Sequence, residues 1–409
     1  MAAKWQPLAS PPSVPSGAFS AETMLLLTNG NLLVHNAYGQ EWLLFQPDPN
    51  KGYAGGSWGA VSQMSVPRGF FASGVLNDGR VFVVGGEVSG TSGDISSGDI
   101  YDPATNAWTA MQGTNTPPAY IQGDASACIL TDGRVIFGAI SSNQTAVWDP
   151  VNSSWTAAGT AFGTQTNSKF GNCNEETWTL LADGSVITVN TKAPLAGGPN
   201  GLNNSPTSAE RYIPSTDLWQ QTSALPDVLA LTTATDTSTN PATPAAAYEM
   251  GPAILLPSGK LLAFGATGHT AIYDPTTGKW TAGQDFPADP GDPSNNNYVL
   301  SPTGLLTQSD APACLQPNGR VITVAGTLYR TVDNGQQVMF SKNSQYFEYD
   351  PIANTLTILP LQPPGNTNSV DTWTTRFLLL PTGQILLSSQ QGQIYIYTPD
   401  PAEGSYQAA

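Results

Sequence analysis

Two stretches, GVLNDGRVFVV (residues 74–84) and IYDPATNAWTAM (residues 100–111), decide the fold of this 409-residue chain. The first joins two apolar runs through a turn that contains Gly79, and Asp-Gly turns favour a tight β-hairpin because glycine adopts a positive φ without steric cost. The second reads as a third strand ending near Tyr101 and a fourth strand that carries Trp108. Together the two stretches predict a unit of four antiparallel strands.

This unit recurs along the whole chain. The hairpin pattern occurs seven times, with turn glycines Gly30, Gly79, Gly133, Gly184, Gly259, Gly319 and Gly383. The interval from Tyr101 to Trp108 recurs at Trp148 to Trp155, Tyr212 to Trp219 and Tyr273 to Trp280, and the sixth unit keeps it with Leu356 in place of tryptophan. Repeats of this kind predict an all-β, seven-bladed β-propeller, since each small sheet buries its faces against its neighbours.

The repeat boundaries predict a single propeller domain over residues 1–409. The last unit ends at IYIYTPDPAEGS without a tryptophan strand, while the chain begins with KWQPLAS. We therefore expect Trp5, in an N-terminal strand at residues 4–9, to supply the outer strand of the last blade and close the ring. The predicted blades span approximately residues 19–64, 68–112, 123–160, 175–225, 249–284, 310–361 and 375–400.

Composition narrows the classes of function. The formal charge is −16 and only 14 residues are Lys or Arg, without a basic stripe, which argues against nucleic-acid binding. No apolar run is long enough for a membrane span, and the N-terminal residues lack the hydrophobic stretch of a signal peptide. We expect a monomeric mature protein of the extracellular space or periplasm, with the cytoplasm as the alternative. The three cysteines have no metal-binding spacing and are expected to be buried free thiols.

The quoted stretches DGRVFVVGG and IYDPATNAWTAM resemble the kelch repeat, and the arrangement over nearly the whole chain is similar to bacterial kelch-type proteins described as galactose-oxidase-like. The resemblance implies a propeller but not one activity, because kelch propellers include enzymes and binding modules. Galactose oxidase and glyoxal oxidase, the best-known enzymes of this group, hold copper with two histidines and two tyrosines, one tyrosine being cross-linked to cysteine.

This chain departs from the copper pattern. It has only two histidines, His35 and His269, which belong to the first and fifth repeats, and no Tyr-His dipeptide. It also stops after the seventh repeat, without the C-terminal domain that supplies a copper ligand in those oxidases. Tight copper binding favours imidazole-rich ligation, so we expect no copper and no nucleotide cofactor.

Long insertions are predicted at one end of the propeller, named here the top. They occupy the connections after second strands and between blades, and in repeat folds such a segregation indicates the binding face. The insertions span residues 191–208, 225–249, 283–309, 328–344 and 362–373.

Carboxylates recur where the innermost strands begin, at this same end. Counting back eight to twelve residues from each turn glycine reaches Glu22, Arg68, Asp124, Glu175 with Glu176, Glu249, Asp310 and Asp371. Six of seven repeats therefore bring an acid to one level of the predicted ring, and Arg376 lies within reach. Because side chains alternate along a strand, Glu175 and Glu176 cannot point the same way. Glu176 shares with Glu22 an offset of eight residues from the turn glycine, so it is expected to face this funnel, and Glu175 to face a neighbouring blade or loop.

Several chemistries fit such a funnel, and the sequence leaves them open. Clustered carboxylates must be protonated, hydrogen-bonded, paired with arginine or neutralised by a cation such as Ca²⁺. The first hypothesis is a binding module for a polar, glycan or cationic ligand. The second is a carbohydrate-active hydrolase or lyase in which Glu176, Asp310 or His269 provides acid–base catalysis. The third is a protein- or peptide-binding scaffold.

Two further assignments depend on neighbouring residues. Trp178, beside the paired glutamates, suits stacking on a sugar ring, although packing between blades is the alternative. Arg68 is the one cation among the acids, and we expect it to pair with Glu22 or Asp124.

Overall fold

The computed structural model describes residues 3–87, 93–111, 113–121, 123–140, 142–159, 169–191, 207–236, 243–292, 297–333, 336–364 and 370–400. The chain divides into two compact units. Unit 1 comprises Met1–Ala158 with Thr374–Glu403, and unit 2 comprises Gly159–Trp373 with Gly404–Ala409. In the described ranges the secondary structure is all β, apart from short 3₁₀ turns such as Gly113–Asn115 and Thr372–Thr374. None of the helices there is long and apolar enough to span a membrane.

Unit 1 contains four antiparallel sheets of four strands each. The chain enters through β1 (Lys4–Pro7). The first sheet comprises β2 (Ala21–Leu26), β3 (Leu32–Asn36), β4 (Trp42–Asp48) and β5 (Gly52–Ala60), and the second comprises β6 (Ala72–Val75), β7 (Val81–Val84), β8 (Gly98–Asp102) and β9 (Ala107–Ala110). The third comprises β10 (Ala127–Ile129), β11 (Val135–Gly138), β12 (Thr145–Asp149) and β13 (Ser154–Ala158). The last comprises β28 (Arg376–Leu379), β29 (Ile385–Ser388), β30 (Tyr395–Thr398) and β1.

Unit 2 contains three sheets, one of them enlarged. The first comprises β14 (Thr179–Leu180), β15 (Val186–Val189), β16 (Ala209–Ile213) and β17 (Leu218–Gln221), and the second comprises β20 (Ala253–Leu255), β21 (Leu261–Phe264), β22 (Thr270–Asp274) and β23 (Lys279–Ala282). The third comprises β24 (Ala313–Leu315), β25 (Val321–Asp333), β26 (Gln336–Asp350) and β27 (Thr355–Ile358), and it is extended by the hairpin of β18 (Leu231–Asp236) and β19 (Thr243–Glu249). The chain is a seven-bladed β-propeller, as its repeats predict.

The N-terminal strand completes the last sheet as expected. Strand β1 pairs antiparallel with β30, and Trp5 lies opposite Tyr397 with ring centroids 4.8 Å apart. This pair repeats the register of Tyr101 opposite Trp108 in the second sheet. Aromatic residues seven positions apart face each other across the outer hairpin, which explains the fixed interval in the sequence.

The hydrophobic core lies between successive sheets within each unit. In unit 1, Phe82 of the second sheet packs among Phe137 and Trp148 of the third. In unit 2, Phe264 of β21 packs near Tyr349 of β26. Successive blades of one unit therefore bury apolar faces against each other.

The five long insertions all belong to unit 2, and two of them are strands rather than loops. Residues 328–344 extend β25 and β26 into a long hairpin, and residues 225–249 contain the β18–β19 hairpin, which joins that sheet through a parallel pairing of Ala246 with Val338. The backbone groups of these two insertions are hydrogen-bonded in β-sheet pairings. Most of the insertion at 191–208, and parts of the other four, lie outside the described residues.

Candidate functional site

Three acids from three successive inner-strand starts of unit 2 form one group, named here the acid trio. One carboxylate oxygen from each of Glu175, Glu249 and Asp310 lies within 4.8 Å of the other two. Glu175 precedes β14, Glu249 ends β19 just before β20, and Asp310 precedes β24. Glu249 is 9% exposed, and the other two are partly buried.

Backbone contacts fix the relative positions of these strand starts. The amide of Asp310 donates to the carbonyl oxygen of Met250 at 3.2 Å, and the hydroxyl of Thr177 donates to the carbonyl oxygen of Gly251 at 3.0 Å. Glu175 and Asp310 both have left-handed backbones, with φ values of 49° and 46°. Such conformations cost energy in non-glycine residues and occur often where a side chain is aimed at a ligand.

The chemistry of the acid trio is that of hard-cation ligation. Three carboxylates this close repel one another unless a positive charge compensates them. Calcium prefers six to eight oxygen ligands from carboxylates, backbone carbonyls and water, and tolerates irregular geometry. The trio supplies three such oxygens within one coordination sphere.

Glu176 lies elsewhere, in a fully buried ion cluster, and the expectation that it faces the acids of neighbouring blades is wrong. Its Oε1 accepts a hydrogen bond of 2.7 Å from Lys169 Nζ, and its Oε2 accepts from Trp178 Nε1 at 2.9 Å and from the hydroxyl of Thr188 at 3.1 Å. Lys169 also contacts Glu210 Oε1 at 3.5 Å. The side chains of Lys169, Glu176 and Glu210 are 0% exposed.

Burial dominates the electrostatics of this cluster. Desolvation raises the pKa of Glu176 to about 7 despite the attraction of Lys169. Desolvation also disfavours the charged form of Lys169, but the negative charges of Glu176 and Glu210 outweigh it and raise the lysine pKa above its ordinary value. Burial thus raises the pKa of Glu176, and the two acids that share Lys169 raise the pKa of the lysine.

Trp178 belongs to the same cluster. It is 8% exposed, its indole N–H bonds to Glu176, and its ring lies 5.3 Å from that of Trp219. The prediction that Trp178 stacks on a sugar is wrong because its ring is buried in the protein, and its ring contact is with Trp219 of the same sheet rather than with a neighbouring blade.

Lys169 and Glu210 were not among the predicted site residues, although the sequence carries a signal for Glu210. Strands β8, β12, β16 and β22 carry Asp99, Ala146, Glu210 and Ala271 at the position two residues before the aromatic residue. Acids at two of these otherwise apolar positions require buried cations. Asp99 and Glu210 both have one.

The partner of Arg68 also differs from the expectation. Its Nη2 donates to Asp99 Oδ2 at 3.0 Å, and both side chains are 0% exposed. Its Nη1 donates to the carbonyl oxygens of Gly85 and Ser97, each at 2.8 Å. Neither Glu22 nor Asp124 was the correct choice, since the cation pairs within its own sheet, where the buried acid of β8 needs compensation.

Glu22 forms a third buried cluster, with His35. Glu22 Oε2 lies 3.1 Å from His35 Nδ1, and its Oε1 accepts from Gln390 at 3.1 Å and lies 3.7 Å from Arg376. Burial alone would raise the pKa of Glu22, but the His35 contact and the charge of Arg376 hold it below its ordinary value. His35 Nε2 donates to the carbonyl oxygen of Gly39 at 3.1 Å.

The remaining predicted residues lie in separate contacts. His269 Nδ1 lies 2.9 Å from Asp285, and Asp371 pairs with Lys342 at 3.3 Å. Asp124 is partly buried before β10 in unit 1. The cysteines are free, as expected, and burial raises the pKa values of Cys128 and Cys314 to about 12. Within unit 2, the structure thus brings Glu175, Glu249 and Asp310 together, whereas Glu176 and Asp371 pair with lysines.

Comparison with known proteins begins with the repeat itself. Residues 68–113 match the family model described as Kelch motif. This segment contains the second sheet of unit 1, the one from which the fold was inferred.

A galactose oxidase of Gibberella zeae is 36% identical over 62 residues, which are 15% of this chain and 9% of that protein. An F-box/kelch-repeat protein of Arabidopsis thaliana is 42% identical over 57 residues, 13% of this chain and 12% of that protein. The chain thus spans about a tenth of the length of these curated relatives.

Solved structures align with nearly the whole chain. A fungal alcohol oxidase of the AA5 family, in complex with copper, aligns with 100% of this chain and 79% of its own, with a TM-score of 0.57 and 14% identity. Virginiamycin B lyase from Staphylococcus aureus covers 97% of this chain and 99% of its own, with a TM-score of 0.55 and 8% identity. At these identities the likeness concerns the fold alone.

Proposed function

We propose that this propeller is a binding module that holds a hard divalent cation, with Ca²⁺ as the first candidate, through the acid trio. The observation that carries the proposal is the convergence of Glu175, Glu249 and Asp310 within 4.8 Å from three separate inner-strand starts. Charged residues make up 11% of the chain, so a matched trio is unexpected for surface charge. Two of the three also have left-handed backbones, which supports a selected geometry.

The cation would complete its coordination with oxygens from outside the trio. Ca²⁺ takes more ligands than three carboxylates provide, so backbone carbonyls, water or hydroxyl groups of a polar ligand such as a glycan fill the remaining positions. Extracellular calcium-binding modules have dissociation constants of about 10⁻⁴ to 10⁻³ M. A site of this class would suit an extracellular or periplasmic location. We include that location, and a polar or glycan ligand, in the proposal.

Acid–base hydrolysis is the weaker reading of the same region. A glycosidase needs two carboxyl groups on opposite sides of a substrate. Glu176, the predicted partner of Asp310, is bonded to Lys169 and Trp178 in the protein interior. A substrate would have to displace those contacts to reach it, so the proposal assigns Glu176 no role at the ligand.

Copper radical chemistry is also outside the proposal, because the histidines do not fit a copper site. His35 Nε2 carries the proton that it donates to Gly39, and its Nδ1 faces Glu22, so both ring nitrogens are already in use. His269 is the second of the two histidines in the chain, and it contacts Asp285. A copper site built on two imidazoles would have to break the Glu22 cluster.

A calcium titration of the full chain tests the proposal. We expect the melting temperature to rise saturably with CaCl₂ but not with NaCl of equal ionic strength, because a ligand bound only to the folded state stabilises it, by about 2.7 kcal/mol at 100 times its dissociation constant. The triple variant E175Q/E249Q/D310N should lose this response.

Asp183→Asn is the matched control. Asp183 lies in the hairpin turn at the other end of β14 and pairs with Arg211, so this variant removes a carboxylate without touching the trio. It should retain the full calcium response. A wild-type chain that shows no saturable shift with Ca²⁺, Mg²⁺ or Mn²⁺ would contradict the proposal and would leave a protein-binding scaffold as the preferred function.

A further inference from the structure

Lys169 lies against the carboxamide of Asn190 in the buried cluster of unit 2. Its Nζ is 3.1 Å from Asn190 Oδ1, and the two residues are 1% and 4% exposed. Lys169 stands before β14, and Asn190 directly follows β15. An amine and an amide are thus held in contact where water is excluded.

A carboxyl group stands beside the amine. Glu176 Oε1 is 2.7 Å from Lys169 Nζ, which is the contact needed to take a proton from it. Trp178 and Thr188 donate to the other oxygen and fix the orientation of Glu176. Glu210 is occupied differently, since the amides of Phe170 and Gly171 donate to its two oxygens at 2.7 and 2.8 Å.

The amide is also held in place. Asn190 Nδ2 donates to the hydroxyl of Ser208 at 2.9 Å, so Oδ1 is the atom turned toward the lysine. Gly171 packs directly on the amide, and a Cβ built there would lie 2.8 Å from both Cγ and Oδ1 of Asn190. The backbone of Gly171 therefore limits the rotation of the carboxamide.

We propose that Lys169 and Asn190 form an intramolecular isopeptide bond, with Glu176 as the proton-transfer group. Glu176 removes a proton from the lysine ammonium, and the neutral Nζ attacks Cγ of Asn190. A bond forms between Nζ and Cγ, and the bond between Cγ and Nδ2 breaks. Glu176 returns this proton to Nδ2, which leaves as ammonia. The ammonia takes a second lysine proton from Nζ and becomes ammonium, and the third lysine proton stays on the new amide. No oxidant, reductant or further reactant is required.

The arrangement supports this reaction in two ways. Amine, amide and carboxyl group are already in contact, so the attack is intramolecular and avoids the entropy cost of bringing reactants together. Burial also excludes the water that would otherwise hydrolyse the amide or solvate the ammonium. The neutral amine is a minor form beside two carboxylates, but a reaction that occurs once in the life of each molecule tolerates a low rate.

The product would tie together the two ends of the inner hairpin. Residues 169–190 become a closed loop that contains β14 and β15, and closing a loop reduces the freedom of the unfolded chain. Strand β14 has only two residues, Thr179–Leu180, so the blade that lines the acid trio through Glu175 gains a covalent support.

Intact-mass spectrometry of the purified full-length chain tests the proposal. We expect the wild type to be lighter than its sequence by about 17 Da, the mass of ammonia. The comparison is made with Lys169→Arg, Asn190→Ala and Glu176→Gln from the same host, so that any N-terminal processing cancels. Each of these variants should have the mass calculated from its own sequence, whereas the surface control Lys260→Arg should still show the loss.

Peptide mapping locates the bond. Trypsin should fail to cut after Lys169, and a second protease should release a peptide containing Lys169 joined to one containing Asn190. A wild-type chain of full mass, both fresh and after long incubation, with the two peptides separate, would overturn the proposal even if no variant folds. A mass gain of about 1 Da at Asn190 would also overturn it, because the amide would then have reacted with water.

Discussion

Glu175 and Glu176 are neighbours in the sequence but lie in opposite environments. Glu175 is partly exposed and joins Glu249 and Asp310, whereas Glu176 is 4% exposed and bonds to Lys169. The left-handed backbone at Glu175 turns the chain between the two side chains. A carboxylate close to other acids can be neutralised from outside, but a buried one must be neutralised by the protein itself.

Removing the buried cation should have the largest effect. Lys169→Met has to fold without the ammonium that compensates the buried Glu176 and Glu210, and it cannot form the proposed cross-link. We expect a loss of about 3–5 kcal/mol in the free energy of unfolding, measured in urea. The control is Lys260→Met, because Lys260 is 48% exposed and pairs with Asp274 at 3.4 Å. We expect Lys260→Met to lose less than about 1 kcal/mol. Equal losses in the two variants would show that burial does not make the ion pairs of Lys169 stronger than that of Lys260.

The pH dependence of stability should report on Glu176. Its pKa is raised from 4.5 to about 7 in the folded chain, so the folded state binds this proton more tightly than the unfolded state. The resulting stabilisation is complete below pH 4.5 and is lost as the pH rises through about 7, a change of about 3 kcal/mol.

Unfolding in urea across this pH range gives the measurement. Glu176→Gln should flatten the decline, since an amide does not titrate, while Glu175→Gln should preserve it. If both variants keep the same slope as the wild type, another group is responsible.

Packing around the buried amide should be sensitive to one methyl group. Gly171→Ala places a Cβ 2.8 Å from Asn190 Cγ, and overpacking of this kind costs about 1–3 kcal/mol. Gly59→Ala in β5 is the control, because its Cβ would meet only the carbonyl oxygen of Leu44 at 3.7 Å. Thermal unfolding of both variants should separate them, and a neutral Gly171→Ala would show that the cluster can relax.

Substitution in the acid trio should have the smallest effect on stability. In metal-free buffer, Glu175→Gln removes one of three repelling carboxylates, so we expect the free energy of unfolding to stay equal or to rise by up to about 1 kcal/mol. A clear loss in Glu175→Gln would mean that Glu175 is compensated within the protein, which would weaken the cation proposal.

Local sequence predicted the sheets well because their signals are local. Gly79 and its six counterparts have positive φ values, and the tyrosine-to-tryptophan interval places Tyr101 opposite Trp108. The pairing of Trp5 with Tyr397 followed from counting strands in the last repeat. Each of these needs only a turn type, an alternation or a repeat count.

The candidate site was predicted only in part, because its contacts join distant segments. Glu249 and Asp310 were found by their offset from the turn glycines, and they meet Glu175 in the trio. The two glutamates diverge as expected, but the offset that Glu176 shares with Glu22 pointed to the wrong one, since Glu22 and Glu176 both lie in buried clusters. Lys169 does not occupy a position that recurs in the repeats, so residue spacing could not predict that its ammonium contacts both Glu176 and Glu210.

The sequence by itself determined the number of blades and the strand pairing, since these depend on periodicity and turn chemistry. Only the tertiary structure decided which glutamate bonds to Lys169 and which one joins Glu249 and Asp310. That choice depends on burial and on a left-handed turn at one residue, and desolvation makes the two outcomes energetically distinct.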